Sequence, residues 1–335
     1  MTSPDGTRAD RYLVTGAMGC LGAWTVRLLL DDGAPVVALD LSSNPSRLRL
    51  LCSDDELAKV EFVAGDISEA GLVARVISEH RVTHVIHCAA LQVPFVRADP
   101  PMGSKVNVLG TINVFEGVRA HQGQIEGFAY ASSAAVFGPA SAYADGAVVD
   151  DSPQYPTSSL YAVFKAANEL TSQVYFVEHG VVGIGMRPFV VYGPGRDQGM
   201  TSGPTVAILA AVVGGEYRIG FKGPMYFNFA RDTAVAFIAA ARLNAPAPTV
   251  YNIPGITATV EDVIATIERI LPAARGRIVT SDVELQSPSR VDASRPKREL
   301  GLGEPTPLAE GIEMTATVLR RGLERGLLHA PVVAA

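Results

Sequence analysis

The sequence predicts an α/β fold, a doubly wound parallel sheet carrying a smaller C-terminal lobe, and three observations predict it. Short β-branched runs alternate with amphipathic stretches through the first half of the chain, a glycine-rich turn follows the first of these runs, and the texture changes after Tyr192.

The candidate strands are residues 12–15, 35–40, 60–64, 84–88 and 127–131. They are near-continuous apolar runs, as strands covered on both faces of a parallel sheet must be. Amphipathic stretches at 21–32, 69–80 and 104–121 separate them. Repeated strand-helix-strand units imply right-handed crossovers and helices on both faces of one sheet. A helix over 159–179 leads to a further strand at 181–188.

Beyond Tyr192, residues 193–203 read GPGRDQGMTSG, a polar, glycine-rich stretch too long for a routine connector and expected to line a site. A helix near 204–213, strands at 217–221 and 249–253, and helices at 259–271 and 307–325 follow. The expected division is a cofactor domain mainly over 10–192 and a substrate lobe mainly over 193–328. Residues 1–9 and the tail after Leu328 are expected to be poorly ordered ends.

The bulk numbers exclude several function classes. A formal net charge of -6 with no basic run offers no electrostatic reason for a nucleic-acid or membrane partner. Cys20, Cys52 and Cys88 form no CxxC pair, and no metal site is expected. Residues 1–11 lack an apolar signal core and no apolar stretch would span a bilayer, so the cytoplasm is the expected compartment.

The first strand runs into Thr15-Gly16-Ala17-Met18-Gly19-Cys20-Leu21-Gly22. Glycines at such a turn let the backbone approach a pyrophosphate, and the following helix offers unpaired N–H groups to the phosphates. The second strand ends in Asp40-Leu41, at the separation where an acidic residue meets the adenosine ribose. A carboxylate there accepts from both ribose hydroxyls and repels a 2′-phosphate, which predicts NAD over NADP although Arg47 lies near. Asp66, in Gly65-Asp66-Ile67, can bond the adenine amino group, cap the helix beginning near Glu69, or do both.

Tyr161-Ala162-Val163-Phe164-Lys165 sets a phenol and an ammonium at i and i+4 of one helix face. A tyrosine of pKa about 10 is a poor base at neutral pH. A lysine one turn away is expected to favour the phenolate and lower that value. The pair follows a strand that ends in Ala131-Ser132-Ser133-Ala134, so a hydroxyl falls at the carboxyl edge of the sheet, where ligands bind.

With those motifs in order, the chain resembles an extended short-chain dehydrogenase/reductase, the branch that contains sugar-nucleotide epimerases and dehydratases. The resemblance runs from about Tyr12 to Gly322 and includes His87-Cys88-Ala89-Ala90, Asn107-Val108-Leu109-Gly110-Thr111 and Arg187-Pro188-Phe189-Val190-Val191-Tyr192-Gly193-Pro194-Gly195. It implies an NAD-dependent enzyme on a Rossmann-type sheet. Ser133 would bond the substrate oxygen, Tyr161 would transfer its proton, and Lys165 would hold the nicotinamide ribose. Gly16, Gly19 and Gly22, with Met18, Cys20 and Leu21 between them, would cradle the pyrophosphate. Asp66 and Ile67 would flank adenine. Cys88, Ala89, Ala90, Gln92 and Ser132 would line the cofactor path, Asn107 would support it, and Pro188 and Val190 would border the nicotinamide. A homodimer through paired helices is the family expectation.

Two positions depart from the sugar-nucleotide pattern. Val190 stands where an asparagine is usual, and Met225 where an arginine is expected; both family residues grip the nucleotide diphosphate. Losing a charged contact of this kind forfeits roughly 1.5–3 kcal/mol. No acid follows Ser133, which argues against dehydration. Ala134 would border the substrate, and Arg196 and Gln198 would clasp a small hydroxylated compound such as a sugar or sugar acid. Net dehydrogenation or reduction at a secondary alcohol or ketone is the leading reading. Epimerisation with tightly held NAD is the second, and a non-catalytic NAD-binding regulator the third, which the intact Ser133, Tyr161 and Lys165 disfavour.

Overall fold

In the computed structural model, which describes residues 10–152, 155–285 and 287–330, the early strands fall where the apolar runs put them. They are β1 (Tyr12–Thr15), β2 (Val36–Asp40), β3 (Glu61–Ala64), β4 (His84–His87), β5 (Gly127–Ala131) and β6 (Ile184–Arg187). The later strands are β7 (Val190–Tyr192), β8 (Tyr217–Ile219), β9 (Pro224–Phe229), β10 (Thr249–Asn252), β11 (Ile256–Thr259) and β12 (Ile278–Thr280). The helices begin with α1 (Cys20–Asp31), α2 (Ser46–Leu51), α3 (Asp54–Leu57), α4 (Leu72–Glu79), α5 (Val93–Ala98), α6 (Pro100–Ser104) and α7 (Gly110–Ala120). They continue with α8 (Leu160–His179), α9 (Gly203–Val212), α10 (Ala230–Ala241), α11 (Val260–Ile270), α12 (Ser294–Glu299) and α13 (Leu308–Glu324). Residues 1–9 and 331–335, part of the expected disordered ends, lie outside the described residues.

Seven strands pair in the order β10-β6-β5-β4-β1-β2-β3, all parallel. Alternate side chains feed two cores, as the period of a strand requires. Val14, Ala38, Ile86 and Ala129 pack with Val26 and Leu29 of α1 and Phe237 of α10. Leu13, Val37, Val85 and Phe128 pack with Val76 of α4 and Phe115 of α7. The sheet is doubly wound, and the order reverses at β1, which lies between β2 and β4. A crevice opens beyond the carboxyl ends of strands at such a reversal. The smaller sheet β11-β9-β7, the pair β12-β8, and helices α9, α11 and α13 close over a second core that includes Tyr192, Ile208, Phe227, Ile267 and Leu319.

Several elements differ from the expectation. The strand at 249–253, read with the smaller lobe, is β10 at the edge of the large sheet, with Tyr251 beside Met186 of β6. Helix α10 was not legible, because its alanine-rich sequence is buried on most sides and shows no apolar stripe. Helix α4 starts at Leu72 and not near Glu69, since Gly71 takes a left-handed φ of 78 just before it. Residues 104–121 are not one continuous α-helix: a π-helical turn, Lys105–Leu109, precedes α7.

Candidate active site

The glycine turn meets the crevice at the start of α1. A Cβ on Gly16, whose φ is +69, would lie 2.6 Å from the Ala89 nitrogen, and one on Gly22 would lie 2.1 Å from the Gly16 oxygen. Only glycine lets the loop, β4 and α1 close this tightly. Beside it lies a cavity of about 600 Å³ whose lining includes Met18, Asp40, Leu41, Asp66, Ile67 and Ala89. Asp40 Oδ2 accepts from the Met18 N–H at 2.9 Å, and Oδ1 accepts from the Ser42 N–H at 2.8 Å. The carboxylate is thereby held at the wall where a ribose would lie. Arg47 is committed elsewhere: Nε and Nη2 donate to Asp197 Oδ1 at 3.0 and 2.7 Å, and Nη1 donates to the Met18 carbonyl at 3.0 Å.

For three cofactor-side residues the structure narrows the expected roles. Asp66 does not cap α4; its Oδ1 accepts from Ser68 N–H at 2.9 Å, leaving the carboxylate in the cavity wall. Asn107 does not line either cavity. It is fully buried one layer behind, where it accepts from Leu91 N–H at 2.7 Å and donates to the Leu91 carbonyl at 2.8 Å, fixing the backbone next to Gln92. Ser132 borders the cavity, but its hydroxyl is turned inward to donate to Glu169. Burial pushes the thiols of Cys20 and Cys88 up to about 12, so both stay protonated and serve as walls.

The chemical groups stand on α8. Ser159 caps that helix by accepting from Ala162 N–H at 3.2 Å, and Tyr161, Lys165 and Glu169 follow on one face. Lys165 is 2% exposed. Its Nζ donates to the Ala131 carbonyl at 2.6 Å, and burial pulls its pKa down to about 8. The same Nζ lies 5.8 Å from the Tyr161 ring centroid. Burial raises the Tyr161 pKa above its ordinary value, while a hydrogen bond with Ser133 and the charge of Arg196 work against that rise. In the free protein, therefore, burial outweighs the expected lowering, and Ser133 and Arg196 supply what lowering there is. Ser133 Oγ also accepts from Ala135 N–H at 3.1 Å, which sets the hydroxyl at the end of β5.

Beneath these groups lies a network that the sequence reading missed. Arg187 and Glu169 are 1% and 0% exposed and pair through two bonds, Nε to Oε1 at 2.7 Å and Nη2 to Oε2 at 2.8 Å. Tyr155 donates to Glu169 Oε2 at 2.8 Å, and Ser132 donates to Oε1. An arginine inside a fully buried strand, with a glutamate one turn beyond the lysine of YAVFK, was the available signal, because a charge is buried only when paired.

A second cavity, of about 400 Å³, opens beside Tyr161. Ser133, Ala134, Pro188, Val190 and Arg196 line it, joined by Phe189, Met200 and Leu285. Gln198 does not; it lines the cofactor-side cavity instead, because the loop turns there toward Arg47. Met225 is 1% exposed, packed in the core of the smaller lobe and away from both cavities.

His80 and His84 stand four residues apart, the spacing at which two ligands would meet on a helix. They share no helix face, since His80 follows α4 and His84 opens β4. His84 lies with Asp10 and Glu126 in a group of potential ligands at the amino edge of the sheet. Its Nδ1 is engaged with Thr83 Oγ1 at 2.8 Å. Among the described residues, no helix is long and apolar enough to cross a membrane.

A parallel sheet with a glycine turn at its reversal and a Ser-Tyr-Lys set beside the same crevice defines an NAD-dependent enzyme. The chain belongs to the NAD dependent epimerase/dehydratase family, whose model matches residues 12–254. It is 31% identical over 323 residues to a UDP-glucose 4-epimerase of Mycolicibacterium smegmatis, covering 92% of this chain and 98% of that one. Among solved structures it resembles MoeE5 in complex with UDP-glucose and NAD, at 26% identity and a TM-score of 0.77 over 93% of this chain and 99% of that chain. The Thermus thermophilus UDP-glucose 4-epimerase in complex with NAD matches at 25% identity and a TM-score of 0.76, covering 92% and 99%. NAD is the cofactor of this enzyme, and the glycine turn, Asp40 and the cavity beside them fit it.

Proposed function

We propose that the enzyme performs net NAD-dependent oxidation or reduction at a secondary alcohol or ketone of a small polyhydroxylated compound, a sugar or sugar acid. NAD supplies the hydride acceptor or, reduced, the donor. Ser133 holds the reacting oxygen, and the Tyr161 phenol takes or returns its proton. Lys165 is the candidate for holding the nicotinamide ribose. Asp40 sets the preference for NAD over NADP. The observation that carries the choice of a small substrate is the pair of departures from the sugar-nucleotide pattern: Val190 lines the Tyr161 cavity with an apolar side chain, and Met225 is buried in the lobe core away from it. Neither can grip a diphosphate.

A second reading, epimerisation, has its own support. The ion pair between Arg47 and Asp197, 2.7 Å at its closest, ties α2 to the loop after β7 across the cofactor cleft. Retained NAD is what an epimerase needs, and the Mycolicibacterium relative is one. A homodimer is part of the proposal too, because Val163, Leu170, Val174 and Val177 leave α8 with exposed apolar surface. The deciding measurement is the absorbance of reduced nicotinamide across a panel of sugars, sugar acids and nucleotide sugars. Stoichiometric NADH from a free sugar or acid supports net oxidation. Interconversion of a nucleotide sugar without accumulating NADH would replace it with epimerisation.

A further inference from the structure

Arg196 stands on the rim shared by the two cavities. Nη1 donates to Gln92 Oε1 and Nη2 to Thr201 Oγ1, both at 3.2 Å. Its Nε is buried and has no partner among the described residues. The adjacent carboxylate, Asp197, is taken by Arg47, and no ion pair to Arg196 occurs among the described residues. Two neutral acceptors thus aim the guanidinium without neutralising it. Gly199, at φ +102, keeps this bracket tight: a Cβ there would lie 1.8 Å from Gln92 Oε1 and 3.2 Å from Arg196 Nη2.

A buried guanidinium N–H left unpaired carries a desolvation penalty, and an incoming oxyanion relieves it through a charge-assisted bond. Two oxyanions could reach this rim, the cofactor pyrophosphate and a substrate carboxylate. The pyrophosphate already has the start of α1 and its glycines. Thr201 and Met200, on the same loop, line the Tyr161 cavity and not the cofactor one. We propose that Arg196 anchors a carboxylate on the substrate, so that the enzyme selects sugar acids over the corresponding neutral sugars. This rests on the small-substrate reading above, which it narrows.

The test is calorimetric titration of the NAD-loaded enzyme with D-glucuronate and D-galacturonate against D-glucose and D-galactose. Wild-type protein is expected to bind at least one uronate about tenfold or more tightly than its parent sugar. Arg196→Gln should erase that preference, losing about 10- to 100-fold in uronate affinity, and Arg196→Lys should recover part of it. Melting of each variant shows that the fold is kept. Equal binding of acid and neutral sugar by wild type overturns the proposal. So does a loss of NAD affinity in Arg196→Gln that matches the loss for uronate, since the anion would then be the pyrophosphate. If only nucleotide sugars bind, the small-substrate reading fails by itself. In that case a preference for UDP-glucuronate over UDP-glucose that Arg196→Gln removes would still uphold the carboxylate anchor, and no such preference would sink it.

Discussion

The two walls of the cleft are built in opposite ways. On the Tyr161 side the charges are buried and paired: Glu169 and Arg187 are 0% and 1% exposed, and two hydroxyls complete the carboxylate. On the loop side the closing pair is at the surface, with Arg47 and Asp197 side chains 21% and 50% exposed. Breaking a buried pair leaves a bare charge in a poorly polarisable interior, which costs about 3–5 kcal/mol. A surface pair is screened and contributes about 0–1 kcal/mol. The wall proposed to do the chemistry is therefore held by interactions that are costly to break, while the loop wall is held by one that costs little.

That contrast can be broken at four points. Tyr161→Phe should reduce single-turnover hydride transfer by about 10²–10⁴-fold, the scale of general acid-base catalysis, while melting and NAD titration stay near wild type. A wild-type rate would move the proton to another residue. Glu169→Ala should lower unfolding free energy by about 3–5 kcal/mol in a denaturant titration, because Arg187 would be stranded in the interior. A loss below about 1 kcal/mol would place this pair in the same class as the surface one.

Lys165→Met should act in the reverse direction on stability. Burial holds this lysine near pKa 8 in the folded protein, below its ordinary value of 10.5. Below about pH 8 both folded and unfolded chains carry the proton, so the full cost of burying the cation is present. Between about 8 and 10.5 only the unfolded chain keeps it, and wild-type stability rises with pH across that window. The variant should be more stable than wild type at neutral pH, by an amount on the order of 2–3 kcal/mol that fades by the upper end of the window, and should bind NAD more weakly. Parallel stability curves for the two proteins would contradict this. The smallest effect is expected from Asp197→Asn, which should speed NAD release by no more than about fivefold, with a gap that closes in high salt. A much larger change in stopped-flow release would mean that the loop wall is as rigid as its opposite.

The cofactor wall was largely legible in the sequence because its residues must recur at fixed places on a strand-turn-helix unit. Gly16, Gly22 and Asp40 could be read from spacing alone. Tyr161 and Lys165 were equally visible, one turn apart on a helix that starts beside the serine strand. What escaped were side chains whose roles depend on contacts distant in sequence. Glu169 meets Arg187 and Ser132, and Asn107 turns away from the cofactor to hold Leu91. The smaller lobe was harder still: β9 opens on Pro224, β11 is only four residues long behind Gly255, and β10 joins a sheet begun more than two hundred residues earlier.

That last strand has a consequence for how the protein is made. A ribosome delivers β1 to β6 well before Thr249 emerges, so for a stretch of synthesis β6 is an open edge beside β5. The apolar side chains of β4 and β5 that α10 later covers are bare for the earlier part of that interval, until Ala230–Ala241 follows. An unpaired parallel edge above an uncovered face is the kind of surface that captures other chains. The nascent enzyme passes through its most adhesive state before Thr249 emerges, and a pause in translation after residue 192 would prolong it.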